Sequence, residues 1–158
     1  MSIIIKHFHE DNADFALLSS LLDAEADTIL DPNLRKLYHI DNHRDVIEDV
    51  FIAYDGKEPV ACASFKRKGE DTAEVKRVYT KPAYRGKGLS RKIMQMVETE
   101  AAKQGYKRMV LETSVELESA VRMYEGLGYR PIPNFPPYEN SVISICKEKK
   151  LHYVKTQE

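Results

Sequence analysis

The sequence predicts one mixed α/β domain, with an antiparallel hairpin first and alternating strands and helices after it. Three observations carry this. The chain has 158 residues, the length of a single domain. Its apolar pattern changes from a period near 3.6 before Asp31 to a strand-like pattern from Val50, and returns to the helical period after Gly88. Turn signals at Asp55-Gly56, at Lys68 to Asp71 and at Gly86 and Gly88 separate those runs.

Taken in order, Ile3 to Phe8 reads as a short strand. Asp11 or Asn12 can cap a helix whose apolar residues are Phe15, Leu18, Leu22 and Ile29. Asp31-Pro32 breaks it, and Leu34, Leu37, Tyr38 and Ile40 start a second short helix. Val50 to Tyr54 and Val60 to Phe65 form a hairpin around Asp55-Gly56. The strand Thr72 to Thr80 follows, and Pro82, Gly86 and Gly88 end it. Leu89, Ile93, Met96, Val97 and Ala101 mark one face of an amphipathic helix closed by Gly105. Lys107 to Thr113 is a strand, and Glu116 to Leu127 a helix with Leu117, Ala120, Val121 and Tyr124 on one side. Tyr129 to Ile132 and Ser141 to Cys146 are the last strands, around a proline-rich loop. Residues 1–150 are expected to form the domain and 151–158 a tail.

Composition excludes several classes. With 42% hydrophobic and 31% charged residues the chain is globular, far from disorder. Two cysteines make no disulfide framework, and no Cys and His spacing suggests zinc. No apolar run approaches the ~20 residues of a membrane span. Ile3-Ile4-Ile5-Lys6 turns polar too soon for a signal peptide, so a cytoplasmic protein is expected. The net charge of -1 hides two opposed segments. Seven bases and no acid lie between Lys76 and Lys92, which leaves the rest at -8. Glu10 to Asp31 holds seven acids and no Lys or Arg.

The stretch from Glu74 to Arg91 carries the most chemistry. A strand enters a glycine-bearing turn that opens directly into a helix. The first helix amides have no internal partner, and the dipole favours an anion there. Glycine brings the backbone close to such an anion, and Arg85 and Lys87 add charge. The arrangement suits a pyrophosphate cradle; the bland reading is an ordinary strand–helix turn. It is no Walker A loop, because Gly-Lys followed by Ser or Thr is missing, and no dinucleotide fingerprint, because the third glycine is missing.

On these residues the chain resembles the GNAT superfamily of acyl-CoA-dependent N-acetyltransferases. Arg85, Gly88 and Ser90 stand where that family has Gln or Arg, Gly, and Gly or Ala, with Ser90 as the departure. Ala120, Tyr124 and Gly128-Tyr129 match a second family motif, although Leu117 replaces the Asn or Gln common three residues before the alanine. The resemblance runs from Ile3 to about Lys147. It implies a central mixed, mostly antiparallel sheet of six or seven strands flanked by about four helices. It implies acetyl-CoA as acyl donor, no metal, direct transfer to a primary amine of a small molecule or peptide, and frequent homodimers. Backbone groups of Val78, Tyr79 and Thr80 would hold the pantetheine arm and acetyl carbonyl, and the amides of Arg85, Gly86, Lys87, Gly88, Leu89 and Ser90 the pyrophosphate.

An alkyl ammonium titrates at about 10.4 and must lose a proton before it attacks. A phenol can return a proton to the leaving thiolate. Tyr124 matches the family tyrosine that does so; otherwise it only packs. Glu74 is the candidate base, four residues before Val78 and so expected on the same face; its bland reading is an exposed Glu paired with Lys76 or Arg77.

Cys62 and Cys146 read as small hydrophobes. His7, His9, His39, His43 and His152 form no ligand spacing, although His39 and His43 share a helical face. The loop Pro131 to Tyr138 either walls an acceptor pocket, with Tyr138 at its rim, or is a stiff crossover. The acidic block either draws in a cationic amine or is a solvated helix face. A non-catalytic CoA-binding module is the alternative function. No nucleic-acid partner is expected, because part of the basic segment is buried strand and helix without aromatic interleaving.

Overall fold

The computed structural model describes residues 2–42 and 49–152. In chain order the elements are β1 (Ile3–Phe8), α1 (Ala13–Ile29), α2 (Pro32–Asn42), β2 (Asp49–Asp55), β3 (Glu58–Arg67), β4 (Thr72–Thr80), α3 (Leu89–Lys103), β5 (Arg108–Ser114), α4 (Glu118–Gly126), β6 (Arg130–Ile132) and β7 (Ser144–Lys150). Asn12 starts α1 as the spacing predicts, its Oδ1 accepting the Phe15 amide at 2.9 Å. The seven strands form one sheet in the order β1-β2-β3-β4-β5-β7-β6. Every neighbouring pair is antiparallel except β4 and β5, which α3 connects as a crossover. This is the expected mixed, mostly antiparallel sheet with four α-helices among the described residues. None of those helices is long and apolar enough to cross a membrane.

Two apolar layers sandwich the sheet. Ile93, Met94, Val97 and Ala101 of α3 pack on Phe65, Val75 and Met109. Phe15 and Leu18 of α1 cover Val50, Ile52 and Cys62 on the opposite face. Burying about a dozen such side chains, at ~1.5–3 kcal/mol each, is the main force holding the helices to the sheet. The α3 stripe differs from expectation in one residue: Met94 is fully buried and Met96 is exposed. The helix presents two adjacent i, i+4 rows to the sheet, and Met96 belongs to neither.

The last strand begins later and runs further than its apolar residues suggest. Asn134 explains the late start, because its Nδ2 donates to the carbonyls of Tyr138, Ser141 and Ser144 and folds the intervening chain into a loop. The charged run Lys147 to Lys150 then pairs with β5 on one edge, and Cys146 to Glu148 pair with β6 on the other. Helix α4 is shorter than expected at both ends. Residues 43–48 and 153–158, which include His43 and most of the expected tail, lie outside the described residues.

One irregularity positions everything that follows. On β3 the step from Cys62 to Ser64 spans two residues, while their β4 partners Tyr79 and Lys76 are three apart. The extra residue is a bulge, and Arg77 within it has φ 58°, a left-handed conformation uncommon outside glycine. The bulge reverses the alternation of β4. Ala73, Val75 and Val78 all pack towards α3, whereas Tyr79 packs towards α1 and Arg77 pairs with Asp23 of α1. Glu74 therefore shares a face with Lys76, Arg77 and Tyr79, and not with Val78 as strict alternation predicts.

Candidate active site

Below the bulge β4 and β5 are joined by three pairs, from Thr72 with Arg108 to Glu74 with Val110. Beyond Glu74 the ladder stops although both strands continue, so they splay apart towards their C-terminal ends. A parallel pair whose strands part opens a crevice at those ends, a usual place for a ligand. Beside it, the chain leaves Thr80 through a turn at Pro82–Tyr84 and enters α3 at Gly88. Gly86 and Gly88 adopt φ 77° and 76°, which glycine takes without steric cost. The first amides of α3 are thereby presented at the mouth of the crevice.

The resulting cleft has a volume of about 880 Å³. It gathers Val78, Tyr79, Thr80, Arg85, Gly86, Gly88, Leu89 and Ser90, that is, every residue expected to hold the cofactor except Lys87. Lys87 turns away, to the far side where Ile3 and Ile5 lie, with its Nζ over the Tyr84 ring. Arg85 is also committed elsewhere: its guanidinium donates to both carboxylate oxygens of Glu25, at 2.9 and 2.7 Å, and to the Thr80 carbonyl at 2.8 Å. Backbone amides thus dominate the cradle, with Arg91 and Arg122 as further bases lining the cleft. Ser90 uses its departure from the motif, for its Oγ and Thr80 Oγ1 are 2.7 Å apart and tie α3 to the end of β4.

A second cavity of about 180 Å³ lies on the α1 and α2 side. It is lined by Asp23, Glu74, Glu112, Tyr38 and Tyr138 among others. Tyr124 lines both spaces and marks their junction. It is 6% exposed, and burial, reinforced by the charge of Glu112, pushes its phenol well above the usual range. The proton stays on Tyr124 at neutral pH, as a general acid requires.

Glu74 is buried, contrary to its exposed reading, and sits among three ammonium groups: Lys68 at 3.5 Å, Lys76 at 3.8 Å and Lys66 at 3.9 Å. Glu112 and Tyr38 were not among the expected site residues. The Tyr38 hydroxyl donates to Glu112 at 2.8 Å, and a carboxylate in the middle of the apolar strand Met109 to Thr113 is the signal that would have marked it. Tyr138 is 1% exposed and packs beneath the cavity with Leu30 and Leu34, not at its rim. Cys62 is buried and its thiol is pushed up to about 12, mainly by burial, which agrees with its reading as a small hydrophobe.

The sequence pattern of the Acetyltransferase (GNAT) family matches residues 15–129, most of the chain. The chain belongs to the GNAT acetyltransferase family. It is 35% identical over 107 residues to the uncharacterized N-acetyltransferase YjgM of Escherichia coli, across 66% of this chain and 64% of that protein. It thus spans just under two thirds of that relative's length. Among solved structures, a candidate acyl-CoA N-acyltransferase from Klebsiella pneumoniae superposes with a TM-score of 0.79 at 25% identity, over 95% of this chain and 98% of that one. YncA, a candidate acetyltransferase from Salmonella typhimurium solved with its cofactor acetyl-CoA, shares the fold at a TM-score of 0.68 and 20% identity, over 100% and 99% of the two chains. Beyond α4, the Tyr129 hydroxyl donates to the buried Glu98 at 2.9 Å and anchors that segment to α3.

Proposed function

We propose that this GNAT protein is an acetyl-CoA-dependent N-acetyltransferase that passes the acetyl group directly to a primary amine of a small molecule or peptide. The observation that carries this reading is the place of Tyr124, a buried neutral phenol where the glycine-cradled cleft meets the carboxylate-lined cavity. Acetyl-CoA, when bound, supplies the activated acyl group. The amides from Arg85 to Ser90 would hold its pyrophosphate, and backbone groups of Val78 to Thr80 at the open edge of β4 would hold its arm. Tyr124 holds a proton at its Oη for the departing sulfur. Glu74 accepts the proton that the amine must lose, directly or through water. A second reading gives that role to Glu112, favoured by its bond to Tyr38 and its electrostatic reach to Tyr124.

Tyr124→Phe tests the assignment, because it removes one hydroxyl and conserves volume. Free CoA release is followed across a panel of amines. We expect kcat to fall by roughly 10²-fold or more, the usual worth of general acid catalysis, with acetyl-CoA binding kept. Unchanged turnover in the variant would remove Tyr124 from the chemistry. Tight acetyl-CoA binding without turnover of any amine by the unaltered chain would favour the non-catalytic CoA-binding module.

A further inference from the structure

At the far end of α3 from the cradle, two histidines and a carboxylate converge from different strands. His7 stands on β1, His9 just beyond it, and Asp49 at the start of β2. Their ligand atoms all lie within 4.8 Å of one another. His7 Nε2 is 2.6 Å from Asp49 Oδ1, and His9 Nδ1 is 3.4 Å from the same oxygen. We propose that His7, His9 and Asp49 form a binding site for a divalent transition ion of the zinc type.

The donor set is two imidazoles and one carboxylate, which suits zinc and not the hard ions magnesium or calcium. A tetrahedral ion with ligand distances of about 2.0–2.1 Å sets its donors roughly 3.3–3.4 Å apart. The His9–Asp49 spacing already has that value. The His7–Asp49 contact is a hydrogen bond, whose proton an ion would replace as the two groups move apart.

The surroundings hold the ligands in place. His7 Nδ1 faces Glu100 Oε1 at 3.7 Å, the carboxylate–histidine arrangement that fixes a metal-binding tautomer. The His7 ring stacks on Phe51 at 4.3 Å with its plane 2° from parallel. Gln104 donates to Asp49 Oδ1 at 3.1 Å and to Glu100 at 3.1 Å. Asp49 is 2% exposed, while His9 is open to solvent and gives the ion an entry. Gly88 and Glu100 are twelve residues apart on α3, about 18 Å along its axis, so an ion here stands apart from acetyl transfer. Its effect is to tie the edge strand β1 to β2.

The untagged full chain, stripped with a chelator, is titrated with Zn²⁺ by calorimetry and with Co²⁺ by absorption. We expect one ion per chain and a tetrahedral Co²⁺ spectrum. His9→Ala and Asp49→Asn should each weaken Zn²⁺ binding by about tenfold or more, with Glu100→Gln changing it in the same direction through His7. Zn²⁺ should raise the Tm of the unaltered chain but not that of His9→Ala, whose exposed position leaves the metal-free Tm unchanged. Absence of saturable Zn²⁺ binding, equal binding of Mg²⁺, or Zn²⁺ affinity unaltered in both His9→Ala and Asp49→Asn would each overturn the site.

Discussion

Glu74 and Glu112 line one cavity, yet their neighbours differ. Glu74 has three ammonium groups within 4 Å, and Glu112 has a phenol. With Glu74 as base, Glu74→Gln is expected to lower kcat by roughly 10²-fold, while Glu112→Gln changes turnover less than tenfold. The reverse order would transfer the role to Glu112. Glu74→Gln also leaves the buried Lys76 with a weaker partner, a change that costs up to about 3–5 kcal/mol when a buried pair is broken outright. Turnover of that variant therefore has to be read below its own thermal transition.

The turn into α3 does its work through backbone geometry. A Cβ added at Gly88 would meet nothing within 4 Å, so the cost of Gly88→Ala is the φ of 76° itself, about 1–2 kcal/mol for an L-residue. The variant is expected to fold with lowered stability and to raise KM for acetyl-CoA several-fold, as the first amides of α3 turn away from the anion. An unchanged KM would show that these amides do not hold the pyrophosphate. The bulge at Arg77 works the same way, since one extra residue in β4 leaves Val78 on the face of α3 and Tyr79 on the face of α1.

Across the whole molecule, the acidic and basic segments meet at two ion pairs. Asp23 pairs with Arg77, and Glu25 pairs with Arg85, which ties α1 to β4 and to the cradle. Two acids of the block thus have a structural partner in the basic segment. The interior itself is poised against high pH. Burial raises Cys62 from 9.0 to about 12 and moves Tyr38, Tyr124 and Tyr129 upward as well. For such groups the folded chain keeps protons that the unfolded chain releases, so their contribution is full below pH 9 and shrinks as pH rises towards 12. Urea midpoints are expected to hold steady up to about pH 9 and then fall, with the native Cys62 thiol slow to react throughout. A midpoint unchanged up to pH 11 would contradict this.

Much of this was legible in the residues. The hairpin, β4 with its bounds and the glycine turn follow from periodicity and turn signals, because each depends on residues within a few positions of one another, whereas Tyr124 was singled out by the family resemblance. The tertiary structure decided the rest. It placed the bulge that reverses β4, brought Tyr38 to Glu112 across 74 positions of sequence, and set His7 against Asp49 across 42. It also carried β7 on through Lys150 as the partner of β5, four charged residues beyond the expected end at Cys146. Local sequence dictates backbone conformation turn by turn. Which side chains meet is fixed only when strand register and helix packing bring distant segments together, and in this protein the cavity of Glu74 and Glu112 and the histidine cluster are made that way.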